Sequence, residues 1–340
     1  VRAPPRLWSR DVLLLAAYRP LPDWAAALAP PLEPELALLH RRLLVEPARA
    51  RALADGLPTL AVPAGVTSQA VKAQYEANPY PRWIGVTRQA TRPLPEVLRR
   101  LFPALPPPPE RRPLRVLVAG CGTGAHALRV AQRYAGAEVL ALDLSRAALG
   151  YAAMKAEALG AANLRFAEAD LLALGALPER FDLIECSGVL HHLAEPAAGL
   201  AVLRGLLAEG GVMKLGLYAT RGRRAIEAAR DFARPLEGGA RSPEALRRIR
   251  AALLALPASH PAAPVTRLLD FQETSFTPLE LRGLLRGAGL DFVGFELADP
   301  ALLADFRRRF AGREQDLATW DAFEAERPDS FATMYQFWVR

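Results

Sequence analysis

From Leu114 onward the chain alternates two textures. Short runs that are apolar almost throughout, LRVLVAG (Leu114 to Gly120), AEVLALDLS (Ala137 to Ser145), FDLIECSG (Phe181 to Gly188) and GVMKLGLY (Gly211 to Tyr218), read as strands. NLRFAEADL (Asn163 to Leu171) is another. Between them lie helical patterns: AHALRVAQRY, AALGYAAMKAEALG ending at Gly160, and LAVLRGLLAEG, which the glycines Gly210 and Gly211 should end. Strands without polar alternation, separated by helices, predict a parallel sheet covered on both faces. Later the pattern changes. TPLELRGLLRGAGL is a helix with Thr277 and Glu280 spaced for a capping box. DFVGFEL is a strand, residues 299–327 are helical, and MYQFWVR is a final strand.

Before Leu114 the texture is different. LWSRDVLLLAAY, PDWAAALA and PELALLHRRLLVEP predict short helices broken by proline, and TSQAVKAQYEAN predicts another that Pro79 ends. No 34-residue self-similarity marks a helical repeat array. The connector FPALPPPPERRP (Phe102 to Pro113) is the best boundary. The expected organisation is an N-terminal helical region at 1–66, a lid or linker at 67–113, and an α/β domain at 114–340. That domain carries a helical insert at 219–270.

Composition narrows the function classes. The 340 residues are 51% hydrophobic, enough for a large core. The net charge of +7 would suit nucleic acid, but only Lys72, Lys155 and Lys214 are lysines. The positive charge is spread arginine without interleaved aromatics, which argues against a nucleic-acid groove. Cys121 and Cys186 are the only cysteines, too few for a disulfide framework. With the five histidines they show no metal-ligand spacing. The apolar run Val12 to Ala17 is too short for a membrane helix, and no small-residue cleavage site follows it closely. The expectation is a cytoplasmic chain without metal.

The chemistry concentrates at VLVAGCGTGAHAL (Val116 to Leu128), where a strand passes through a glycine loop into a helix. Glycines let backbone turn tightly and approach a ligand, and the helix N-terminus offers free N–H groups. Asp143 stands at the end of the next strand, where a carboxylate accepts both ribose hydroxyls. Two cofactor classes fit. Gly120, Gly122 and Ala125 approximate a dinucleotide loop, and Gly120, Gly122 and Gly124 fit an S-adenosylmethionine loop. The nicotinamide reading lacks a catalytic Tyr-x-x-x-Lys pair.

VLVAGCGTG, the acid in LALDLS, AEADL (Ala167 to Leu171), FDLIECSGVLHHL (Phe181 to Leu193) and LLAEGGVMKLGLY (Leu206 to Tyr218) together resemble the successive motifs of class I S-adenosylmethionine-dependent methyltransferases. The resemblance is dense over 114–218 and holds by layout over 277–340. It implies a Rossmann-like seven-stranded, mostly parallel sheet whose last strand is antiparallel. It also implies S-adenosyl-L-methionine as cofactor. Gly120, Cys121, Gly122, Thr123 and Gly124 would line its methionine part. Asp143, with Leu144 beside it, would hold the ribose. Asp170 would meet the adenine amino group, with Leu171 packing nearby, and Cys186 and Ser187 would edge the pocket. Asp170 would otherwise cap the following turn, and Cys186 would otherwise be a packed small hydrophobe.

Methyl transfer is a direct displacement governed by alignment, and a base is needed only when the acceptor must lose a proton. His191 and His192 follow the fourth strand of the α/β core and are the candidates. The bland alternative is that they pack or orient the loop. QYEANPYPRW (Gln74 to Trp83) resembles a segment of a bacterial methyltransferase group whose domain often follows tetratricopeptide repeats. Its Asn78-Pro79-Tyr80-Pro81 has the letters of an amino-methyltransferase motif, yet it precedes the glycine loop instead of following that fourth strand. It is therefore a lid, a cofactor-edge element bringing Tyr75 and Trp83, or a packing corner. The acceptor is a small molecule or a protein. Arg221, Arg223, Arg224 and Arg230 would draw an acidic one or be merely solvated. A nicotinamide oxidoreductase or a non-catalytic cofactor-binding scaffold are the rival functions.

Overall fold

In the computed structural model, residues 34–340 are described except for 63–64, 66–68, 70–71, 73–75, 77–78, 80, 88, 107, 237–242, 264, 266–272, 298 and 333. The two helices expected before residue 34 lie outside the described residues. So does most of the one expected at 67–78, although Gln69, Lys72 and Glu76 are helical. The chain divides into two compact units, residues 1–92 with 112–174 and residues 93–111 with 175–340.

The first unit begins with α1 (Pro34–His40), a π-helical turn (Arg41–Val45) and α2 (Glu46–Asp55). A short strand, β1 (Thr59–Ala61), follows. Then come β2 (Leu114–Ala119), α3 (Ala125–Arg133), β3 (Ala137–Asp143), α4 (Arg146–Ala158) and β4 (Leu164–Ala169). β2, β3 and β4 pair in parallel with a continuous register, and β1 adds to β4, also in parallel. Val116, Leu117, Val118, Val139 and Ala141 are almost completely buried, which is why these strands needed no polar face. α2 lies against α4 through small residues. A Cβ on Gly150 would stand 2.2 Å from the Ala50 carbonyl oxygen and 2.8 Å from the Ala54 Cβ.

The second unit holds α5 (Leu94–Leu101), β5 (Phe181–Ser187), α6 (Pro196–Leu206), β6 (Leu207–Tyr218), α7 (Arg224–Ala233), α8 (Pro243–Leu254), α9 (Pro278–Gly287), β7 (Phe292–Phe295), α10 (Pro300–Arg309), α11 (Leu317–Glu326) and β8 (Met334–Val339). β5 and β6 are parallel, while β8 runs antiparallel to both β6 and β7. Proline opens α6, α9 and α10, where its missing N–H would find no partner anyway. The capping box at α9 is present in both directions between Thr277 and Glu280. An aromatic cluster fills this unit: Phe306 stacks on Trp320 at 3.6 Å, and Phe295, Phe331 and Tyr335 pack in contact.

Within the first unit the strand order is β1-β4-β3-β2 and within the second it is β5-β6-β8-β7, so the described residues form eight strands and not the expected seven. The added one is β1, three residues long, too short to show a period. The helix expected to reach Gly210 stops at Leu206 instead, and β6 starts at Leu207. Gly210 lies inside that strand with φ of 70°, a backbone state glycine tolerates and helices exclude. No helix among the described residues is long and apolar enough to cross a membrane.

Candidate functional site

In the first unit, β2 ends in a loop whose three glycines all have positive φ: Gly120 at 74°, Gly122 at 52° and Gly124 at 85°. The N–H groups of Gly120 and Cys121 donate to the Leu142 carbonyl oxygen at 2.8 and 2.9 Å, so the loop is pinned to the end of β3. Gly124 must be glycine on steric grounds as well, since a Cβ there would lie 2.5 Å from the Ala152 Cβ. Gly122 is the opposite case. No described residue lies within 4 Å of its would-be Cβ, so among the described residues the space beside its backbone is open.

Asp143 joins the loop to the next helix. Its Oδ2 accepts from the Gly122 N–H at 2.7 Å and its Oδ1 from the Ser145 N–H at 3.0 Å. Burial pushes its carboxyl up from the ordinary range; the backbone donors oppose this, and nearby Glu76 adds to it. Leu144 is half-buried beside it. Ser145 caps α4 by accepting from the Ala148 N–H at 3.1 Å.

Asp170 is 3% exposed at the end of β4. Its Oδ1 accepts from the Leu172 N–H at 3.0 Å, so one oxygen does cap the 3₁₀ turn that Leu171 opens. Thr123 is buried, and Cys121 is buried with its thiol pushed well up by burial and by Asp143. Trp83 comes to the glycine loop, where its indole N–H donates to the Thr123 carbonyl oxygen at 2.8 Å. Tyr75 lies outside the described residues. The first unit thus brings Gly120 to Gly124, Asp143 and Trp83 together by direct bonds.

The remaining candidates belong to the second unit, at the carboxyl ends of β5 and β6 and the start of β8. Cys186 is buried and its thiol is pushed up to about 12 by burial, so it packs as a neutral group. The Ser187 hydroxyl accepts from the Gln336 amide at 2.9 Å. Gly216 makes room for both, because a Cβ there would fall 2.1 Å from Ser187 Oγ and 2.8 Å from Gln336 Nε2.

His191 and His192 sit in a 3₁₀ turn, Leu190–His192, and their environments differ. His191 is completely buried, stacks on Tyr218 at 3.6 Å between ring centres, and finds no hydrogen-bond partner for either nitrogen among the described residues. Burial, then His192 and Arg223, push its imidazole down to about 2, so it is neutral across the working pH range. His192 is half-buried, edge-on to Tyr218 at 5.8 Å. The Arg223 guanidinium lies 3.7 Å from the Tyr218 ring.

Sequence reasoning did not single out Glu76, Ser145, Tyr151, Tyr218 or Gln336. Only Ser145 left a signal, as a hydroxyl residue directly before a helical run. The four candidate arginines of the insert turn out to be paired within the chain. Arg221 bonds Asp321 and Glu324 at 2.9 and 2.8 Å, Arg223 and Arg230 share Glu273, and Arg224 reaches Asp329 at 3.5 Å. Among the described residues no group of three His, Cys, Asp or Glu side chains could hold a metal ion.

Residues 116–211 match a family described as a methyltransferase domain. An uncharacterized protein of Synechococcus sp. is 30% identical over 316 residues, covering 82% of this chain and 73% of that protein. A demethylmenaquinone methyltransferase of Thermus thermophilus is 38% identical over 102 residues, 30% of this chain and 46% of that enzyme. Among solved structures, PKMT2 from Rickettsia typhi in complex with AdoHcy is similar in fold. Its TM-score is 0.55 at 16% identity, over 76% of this chain and 54% of PKMT2. The chain therefore spans about half the length of these last two proteins.

Proposed function

We propose, for a chain that belongs with the class I S-adenosylmethionine-dependent methyltransferases, that Gly120 to Gly124, Asp143, Leu144, Asp170 and Leu171 hold the cofactor. The methyl then passes to a small-molecule or protein acceptor. When bound, S-adenosylmethionine supplies an activated methyl group. The chain's own work is to bind, orient and exclude water. The observation that carries this reading is Asp143, whose carboxylate takes an N–H from the glycine loop and another from the turn into α4. Loop and ribose-binding acid are thereby one corner, with space left by the described residues beside Gly122 where a ligand can approach.

The same corner favours a ribose diol over a phosphate. The first-turn N–H groups of Arg146 and Ala147 already donate to the Glu76 carboxylate, at 2.5 and 3.2 Å. A helix end that would otherwise attract a phosphate is occupied by an acid. This supports an adenosyl ligand over a 2′-phosphorylated nicotinamide dinucleotide.

For an acceptor that must lose a proton, the assignment of base falls on His192 and not His191. A sealed imidazole held neutral beside an arginine is a poor proton acceptor, whereas His192 is partly exposed in the same turn. The internally paired arginines of the insert give no support to selection of an acidic acceptor.

The test is calorimetric titration of the wild type and Asp143→Ala with S-adenosylhomocysteine, and in parallel with NADH. Binding of the first alone, lost in the variant, is the expected result. Binding of NADH alone would overturn the assignment. Binding of S-adenosylhomocysteine without methyl transfer to any acceptor in cell extracts would favour the non-catalytic scaffold.

A further inference from the structure

The segment that ends in Trp83 is not used by the chemistry of methyl transfer, yet its described residues grip the cofactor corner at both of its edges. At the glycine loop, the Trp83 indole N–H donates to the Thr123 carbonyl oxygen at 2.8 Å, and the Thr123 hydroxyl donates to the Pro81 carbonyl oxygen at 2.5 Å. Donor and acceptor thus cross between the two strands of chain in both directions. At the other edge, Glu76 accepts the Arg146 and Ala147 N–H groups, immediately after Asp143 and Ser145. With Ser145 taking the Ala148 N–H, three consecutive first-turn amides of α4 are satisfied.

The grip is itself supported from α4. The Tyr151 hydroxyl donates to the Trp83 carbonyl oxygen at 2.6 Å, its ring meets the indole edge-on at 6.1 Å, and the Lys155 ammonium lies 5.5 Å from the Trp83 ring centre. Lys72 and Arg146 both bond the buried Glu168 at the end of β4, holding this part of the segment down.

Glycine loses more conformational freedom on ordering than any other residue, and three of the five residues of this loop are glycine. If the ligand had to order it, that cost would be subtracted from the affinity. Here the Trp83 and Thr123 bonds fix the peptide between Thr123 and Gly124, and the Glu76 bonds fix the turn that carries Asp143. The ordering is accomplished within the protein before any ligand arrives.

We propose that Trp83 and Glu76 are positioning residues that set the affinity for the S-adenosyl ligand by holding the glycine loop and the Asp143 turn in their binding geometry. This rests on the reading that Gly120 to Gly124 and Asp143 hold the cofactor. The two residues act through the loop and the turn, so their loss should weaken binding without removing any group the ligand needs.

The experiment is titration of the full chain with S-adenosylhomocysteine for the wild type, Trp83→Phe, Glu76→Gln and Tyr151→Phe. Melting temperatures without ligand and hydrogen exchange of the peptide spanning 116–128 are measured alongside. Trp83→Phe removes one hydrogen bond and keeps an aromatic ring, so its Kd should rise about fivefold, the equivalent of about 1 kcal/mol. Glu76→Gln and Tyr151→Phe should each weaken binding in the same direction. Exchange of the glycine-loop peptide should be faster in Trp83→Phe before ligand is added and return to the wild-type rate once ligand is saturating. Wild-type Kd and wild-type exchange in Trp83→Phe and Glu76→Gln would overturn the proposal. So would a lowered melting temperature with unchanged Kd, which would make the segment a packing corner only. If Trp83→Phe does not fold, Tyr151→Phe decides by the same two readouts. Failure of the wild type to bind S-adenosylhomocysteine is a separate outcome, which overturns the cofactor assignment and this proposal with it.

Discussion

Gly150→Ala is a substitution whose sign separates local propensity from packing. Gly150 lies within α4, and in an open helix replacing glycine by alanine stabilises by about 1 kcal/mol. Here the added methyl would stand 2.2 Å from the Ala50 carbonyl oxygen, far inside any real contact. That oxygen is backbone of α2 and cannot rotate away, so the helix pair must separate. Overpacking of this kind typically costs 1–3 kcal/mol, and a rigid backbone obstacle puts the cost near the upper figure of about 3 kcal/mol. Subtracting the propensity gain leaves a net loss of about 2 kcal/mol. Gly283 is the control. It lies within α9 with no described residue within 4 Å of its would-be Cβ, so Gly283→Ala should stabilise by about 0.5–1 kcal/mol. Ala54→Gly should not rescue Gly150→Ala, because the closest obstacle is the Ala50 carbonyl and not the Ala54 methyl. Urea denaturation followed by circular dichroism gives the midpoint and slope for each variant. A Gly150→Ala protein as stable as the wild type, or stabilised like Gly283→Ala, would refute the close approach of α2 and α4.

Further expectations follow from the charged and buried groups. On the proposed assignment, binding to ribose hydroxyls needs Asp143 ionised, and its carboxyl is raised by burial and by Glu76. Affinity for S-adenosylhomocysteine should therefore be full above that raised value and fall as pH drops through it. Glu76→Gln should move the acid limb to lower pH in calorimetry; an unmoved limb would remove Glu76 from the electrostatics of Asp143. His191 stays neutral when folded and titrates near its ordinary value when unfolded, so the unfolded state takes up the extra proton as pH falls below about 6.5. Stability from this source is present at neutral pH and should decline by about 2 kcal/mol between pH 7 and pH 5. His191→Phe should lack that component while keeping the stack on Tyr218, which denaturation at several pH values will show. Arg221→Met would leave the fully buried Glu324 without its cation and should cost about 3 kcal/mol in urea denaturation.

Much of this molecule was readable from its residues because the strands between β2 and β6 are buried on a continuous apolar sequence. Asp143 was readable as a candidate from its position at the end of a strand following a glycine loop, and the structure adds its bond to the Gly122 N–H. What escaped detection depends on contacts between distant residues. Glu76 caps a helix that starts 70 residues later, and no local pattern announces such a bond. Gly150 and Gly216 look like ordinary glycines of a helix and a strand until the neighbouring backbone or side chain is seen. His191 and His192 are identical as letters. In a 3₁₀ turn successive side chains diverge by about 120°, which sends one into the interior and leaves the other at the rim. β1 escaped for a different reason, since three residues held by β4 carry almost no intrinsic strand signal.

The placement of β8 between β6 and β7 sets an order of events during synthesis. β7 emerges from the ribosome with α10 and α11 still to come, and among the described residues it borders no strand but β8. Until Met334–Val339 is made, β7 has nothing to pair with, and β6 presents an open edge where β8 will lie. The nascent chain therefore carries two unsatisfied strand edges at once, a state prone to pairing with other chains. A truncation that removed β8 would cost the protein two strands, and its product should appear in cells as aggregate more than as a shortened enzyme.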